Sequence, residues 1–129
     1  MLKRALVGLI RSHEATGDKA KDPQLKTRYY KLSKEQAMDE VVNMIKKLSG
    51  YKLLHEVRSV GEIVLEKRTI TGRTQDITIT LFGINPVKTA IDIYSASRGS
   101  LGDLGSNYRT ILDLIKHIDK RLSAYRMHE

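Results

Sequence analysis

The chain has 129 residues, with 23 Lys/Arg against 15 Asp/Glu and no cysteine. That length fits one ordinary domain able to bury a sizeable core without staples. The missing cysteine excludes disulfides, thiolate metal sites and a cysteine nucleophile, and it agrees with a reducing cytoplasm, the expected compartment.

Charge is uneven along the chain. Residues 1–33 hold eight Lys/Arg (Lys3, Arg4, Arg11, Lys19, Lys21, Lys26, Arg28 and Lys31) against three Asp/Glu, whereas residues 34–97 hold nine against eight. A basic N-terminal third is suited to phosphate or anionic lipid; it is equally the composition of a well-solvated surface. Within it, Leu2, Leu6, Leu9 and Ile10 lie near one helical face, flanked by Lys3, Arg4 and Arg11. The apolar run Ala5–Ile10 is too short for a secretion signal or a bilayer span. Residues 16–23 are polar and read as a linker or an exposed loop. The expected division is therefore an extension and linker over 1–21 and a single domain over 22–126.

Residues 25–32 (Leu-Lys-Thr-Arg-Tyr-Tyr-Lys-Leu) predict a first strand, since Thr and Tyr suit a pleated surface. A helix follows. Ser33 is placed to cap it with Gln36 three residues on, and Ala37, Val41, Ile45 and Leu48, widened by Met38 and Met44, form its apolar stripe. Gly50 is placed to end it. Four strands are then expected, at about 51–58, 61–68, 76–81 and 87–97. Asp76–Leu81 alternates cleanly, with Ile77, Ile79 and Leu81 on one face. Thr71-Gly72-Arg73 and Gly83-Ile84-Asn85-Pro86 supply turns, and links this short imply antiparallel hairpins. A last helix is expected over 106–126, with Ile111, Ile115, Ile118 and Leu122 buried. Lys116, Lys120, Arg121 and Arg126 near its C-terminal end complement the helix dipole.

The order β-α-β-β-β-β-α predicts an α+β fold of two layers, an antiparallel sheet with both helices on one face. TATA-binding-protein-like folds share that order. A helix-grip arrangement, with a ligand pocket under the last helix, is the alternative architecture.

The densest polar stretch runs from Ile93 to Asn107, out of the last strand, past three glycines and into the last helix. Ser95 and Ser97 share a strand face, Arg98 follows, and Asp103 and Asn107 stand where the helix begins. Helix N-termini favour anions, and an arginine beside one strengthens that. Ser95, Ser97, Arg98, Asp103 and Asn107 are therefore the candidate ligand-binding residues. The same residue types also make an ordinary strand-to-helix junction, with Asp103 or Ser106 as cap and Arg98 paired to Asp103.

The run Ser95-Ala96-Ser97-Arg98-Gly99, followed by Asp103, Gly105 and Asn107, resembles the bacterial and plastid family known as domain of unknown function 1499. Asp22-Pro23 and Arg28-Tyr29-Tyr30 look similar to that family's beginning, so the resemblance covers about residues 22–124. It implies a domain type and marks the cluster as a family feature; it implies no activity. Where family members often carry paired acidic residues and an aromatic at the start of the third hairpin strand, this chain has Thr74-Gln75-Asp76.

None of His13, His55, His117 and His128 has a partner at a spacing typical of zinc, so neither metal nor cofactor is expected. His13-Glu14 reads as a neighbour pair in a loop. Ser97 lacks a nucleophile elbow and a histidine in view. Tyr29, Tyr30 and Tyr51 would suit nucleobase stacking if they shared an open sheet face. The favoured reading is a non-catalytic binding or protein-interaction module, with an anion or small-ligand site at the 95–107 junction. Nucleic-acid or anionic-membrane binding through residues 1–33 and an enzyme of unrecognised type are the alternatives. An exposed sheet edge or face leaves a homodimer open.

Overall fold

The computed structural model describes residues 13–69, 72–98 and 105–127. Its elements are β1 (His13–Ala15), a 3-10 turn (Pro23–Leu25), β2 (Arg28–Tyr30), α1 (Lys34–Lys47), β3 (Tyr51–Val57), β4 (Glu62–Arg68), β5 (Thr74–Asn85), β6 (Lys88–Ser97), α2 (Ser106–Arg121), a second 3-10 turn (Ser123–Tyr125) and β7 (Arg126–Met127). The fold is α+β, with two helices on one face of an antiparallel sheet.

Strand order is β3-β4-β5-β6-β2-β7, with β1 also paired to β6. The four long strands form a meander, each pairing with the next. β2 lies at the far side of β6, so α1 must cross the whole face to deliver the chain to β3 at the opposite edge.

α1 begins as its sequence requires: Ser33 stays extended and its hydroxyl accepts from the Gln36 N–H at 3.1 Å. Its buried side chains are Ala37, Met38, Val41, Val42, Met44 and Ile45. α2 buries Tyr108, Ile111, Leu114, Ile115 and Ile118. Both stripes meet the inner sheet face, where Ile63, Leu65, Ile77, Ile79, Leu81, Ile91 and Ile93 are all at most 2% exposed. Side chains of this size stabilise by about 1.5–3 kcal/mol each when fully buried.

Several boundaries differ from those expected. The first strand is only Arg28–Tyr30, because Asp22 and Pro23 start a 3-10 turn in which the Asp22 carboxylate accepts from the Gln24 N–H at 2.9 Å. Residues 13–15, upstream of 22, belong to the sheet: β1 pairs with β6, so His13-Glu14 stands in a strand and not in a loop. The polar segment after it is tied down too. Thr16 exchanges bonds with Ile93, and Asp92 accepts from the hydroxyls of Thr16 (2.7 Å) and Thr27 (2.8 Å). β5 runs through Gly83 to Asn85, leaving Pro86 and Val87 as the turn, with the Asn85 side chain accepting from the Val87 N–H. α2 stops at Arg121, and the chain then turns into β7 beside β2.

Gly61 shows what the β3–β4 turn demands. Its φ is +71°, and an added Cβ would stand 2.1 Å from the Leu81 carbonyl oxygen. The same close approach lets the Leu81 N–H donate to the Gly61 carbonyl at 2.7 Å. This turn is thereby pinned to the middle of β5.

Candidate functional site

The pleat divides the 95–107 cluster between two faces. Ser95 and Ser97 point inward, 0% and 9% exposed, while Arg98 follows the outward set. Asp103 lies outside the described residues.

On the inner face two side-chain amides dock the first turn of α2 onto β5 and β6. Asn107 is fully buried; its Oδ1 accepts from Ser95 Oγ at 2.6 Å, and its Nδ2 donates to Ser97 Oγ at 3.0 Å. Gln75, which opposes Ser97 in the ladder, donates through Nε2 to Ser106 Oγ and accepts through Oε1 from Thr110 Oγ1, each at 2.6 Å. A buried polar group left without a partner costs about 1–3 kcal/mol, so this network selects one seating of the helix. The N-cap residue of α2 is Gly105, which has no side chain to accept from the first turn. Gly105 enters it with φ +82°, and Ser106 spends its hydroxyl on Gln75 instead. Gln75 and Thr110 were missed in the sequence; the signal was a glutamine on the apolar face of an otherwise clean strand.

On the outer face the Arg98 guanidinium forms a fork with Asp76, at 2.9 Å from Nε and 2.7 Å from Nη2, and Nη2 also reaches Glu66 at 3.1 Å. The ladder explains this: Glu66 opposes Asp76, which opposes Ala96, two residues before Arg98. The hydrogen bonds to Asp76 raise the Arg98 pKa above its ordinary value. The acidic residue left in Thr74-Gln75-Asp76 is thus the partner of Arg98. The structure brings Ser95, Ser97 and Asn107 together and sets Arg98 apart, on the other side of the sheet.

The tyrosines are split likewise. Tyr30 and Tyr51 face inward and donate to Asp119 and Asp113 of α2 (2.8 Å for Tyr51). Burial first, and those hydrogen bonds second, push both phenol pKa values well up. Tyr29 faces outward with the Lys88 ammonium 5.0 Å over its ring. They do not share an open face. His117 stands one helical turn after Asp113, Nε2 to Oδ1 3.6 Å, a pairing the sequence reading passed over. Among the described residues no group of three His, Asp or Glu stands close enough to hold a metal ion. Nor is any described helix long and apolar enough to cross a membrane.

The outer face has no helix over it among the described residues. At the end of the sheet holding the β3–β4 and β5–β6 turns, Val57, Val60, Phe82, Ile84 and Val87 are exposed, from 37% for Val57 to 67% for Phe82.

A two-layer antiparallel α+β domain, its strand β6 and last helix joined by the buried Ser-Asn-Ser contact, is the class these features define. The chain belongs to the family described as Protein of unknown function (DUF1499), whose model matches residues 10–118. That match reaches upstream of residue 22 and takes in β1. No curated protein matches the chain. Among solved structures it is similar to the Zhui aromatase/cyclase from Streptomyces sp. R1128, with 10% identity, a TM-score of 0.34, and coverage of 87% of this chain and 86% of that one. A likeness that loose carries nothing about function.

Proposed function

We propose that the domain is a non-catalytic interaction module that engages a protein partner through the apolar end of its sheet. The observation that carries this is that Phe82, Ile84 and Val87 on the β5–β6 hairpin, Val57 at the end of β3 and Val60 on the β3–β4 turn are all exposed at one end of the sheet. Exposed apolar groups gathered in one place, with polar surroundings, are characteristic of interaction surfaces, while single ones are not. Ser95, Ser97, Arg98 and Asn107 of the 95–107 cluster serve this module as framework. The inward hydroxyls and amide bond one another, and the arginine holds two carboxylates.

A photo-crosslinking side chain at position 87, in cells that make the full protein, tests the reading. One recurrent adduct is expected, and it should disappear in Phe82→Ser. An adduct to a second copy would make the partner the chain itself. Adducts that persist in Phe82→Ser, or that form only from a probe on the exposed side of α2, would overturn the proposal.

A further inference from the structure

A second feature is independent of the apolar end. Between the segment that follows β1 and the β2–β7 edge lies a cleft of about 520 Å³, lined by Asp18, Pro23, Lys26, Arg28, Tyr29 and Arg126, with Thr27 at its back. That volume falls within the range of small-ligand pockets, about 300–1,000 Å³.

Its walls carry three cations and one carboxylate. The carboxylate, Asp18, accepts from the Tyr29 hydroxyl. Arg126 stacks over Tyr30 and shares Asp119, Nε to Oδ1 3.2 Å. Among the described residues Lys26 and Arg28 have no such counter-charge: Lys26 Nζ donates to the Asp18 backbone carbonyl at 3.0 Å, and Arg28 Nη2 to the Gln24 carbonyl at 3.3 Å. Arg28 Nε is buried and has no hydrogen-bond acceptor among the described residues. Buried donors are rarely left so, and a guanidinium in the wall of a cationic cleft is a group fitted to an oxyanion.

We infer that this cleft binds a small molecule bearing a phosphate or carboxylate group, held by Arg28 and Lys26, with Arg126 adding charge. Pro23 and the Tyr29 ring offer apolar surface for the remainder of the ligand. The fold holds the cleft open from both sides. Thr27 is fixed to Asp92, Tyr29 is paired with Ala90, and Met127 is paired with Tyr29.

The test is titration of the full protein with inorganic phosphate, glycerol 3-phosphate and citrate, read by calorimetry and by the Arg28 Nε–H resonance. A parallel arm uses vesicles with and without phosphatidic acid. Saturable binding that moves the Arg28 Nε–H resonance is expected. It should weaken at least tenfold in Arg28→Gln, weaken less in the exposed Lys26→Ala, and stay unchanged in Arg98→Ala. Circular dichroism of Arg28→Gln separates loss of the site from loss of the fold, and Lys26→Ala keeps the test decisive if Arg28→Gln does not fold. Binding to vesicles but not to free phosphates would assign the oxyanion to a lipid headgroup. No saturable binding in any arm, or binding equal in wild type, Arg28→Gln and Lys26→Ala, would overturn the inference.

Discussion

At Asn107 a single side chain joins a strand to a helix. It satisfies two serines from β6 and is itself wholly buried. Asn107→Ala leaves those hydroxyls without their partner inside the protein and opens a small void. A loss of about 2–3 kcal/mol is expected from the cost of unpaired buried groups, measured as a lower denaturant midpoint with unchanged slope. Asn107 was legible as a candidate because serine, serine and asparagine stand at a strand-to-helix boundary. Its task was not, because a buried framework and a ligand site draw on the same residue types. Arg98 illustrates the other limit. Its partners, Glu66 and Asp76, are set by ladder register across β4, β5 and β6, and register is decided by long-range pairing and not by local spacing.

Among elements, those with their own signals were read correctly. α1 has a cap and a complete 3.6-residue stripe, and β5 alternates strictly over its first half. β1 and β7, of three and two residues, have no periodicity to detect; each exists because a neighbouring strand supplies its hydrogen bonds. β5 was expected to end early because Gly83 reads as a turn, yet Gly83 pairs with Thr89 and the strand continues. The β3–β4 turn owes more to glycine than its sequence announces. Gly61→Ala must displace the backbone of β5 as well as strain a positive φ. A loss greater than about 1 kcal/mol is expected, with amide protection falling around Leu81 as well as at the turn. An effect confined to residues 58–61 would show that the turn is not coupled to β5.

For the molecule as a whole, α2 is held from both margins of the sheet. Tyr30 on β2 reaches Asp119, and Tyr51 on β3 reaches Asp113. Both phenols are raised by burial and by those carboxylates, so the folded state keeps protons that the unfolded chain gives up above pH ~10. Their contribution is fully present below that value and is lost as pH climbs beyond it. Stability should therefore fall steeply in alkali, and Tyr51→Phe should make the fall shallower while lowering stability at neutral pH. Equal slopes in the two proteins, followed by denaturant midpoints from neutral pH to alkali, would remove Tyr51 from this account.

The two faces of the sheet also divide what the chain can inherit. Glu66, Asp76 and Arg98 form one set; Gln75, Ser95, Ser97, Ser106, Asn107 and Thr110 form another, and no residue belongs to both. Neighbours such as Gln75 and Asp76, or Ser97 and Arg98, answer to opposite sides of the β-layer. A substitution in one set leaves the hydrogen-bond partners of the other in place, so within a single short motif changes on the two faces can proceed side by side.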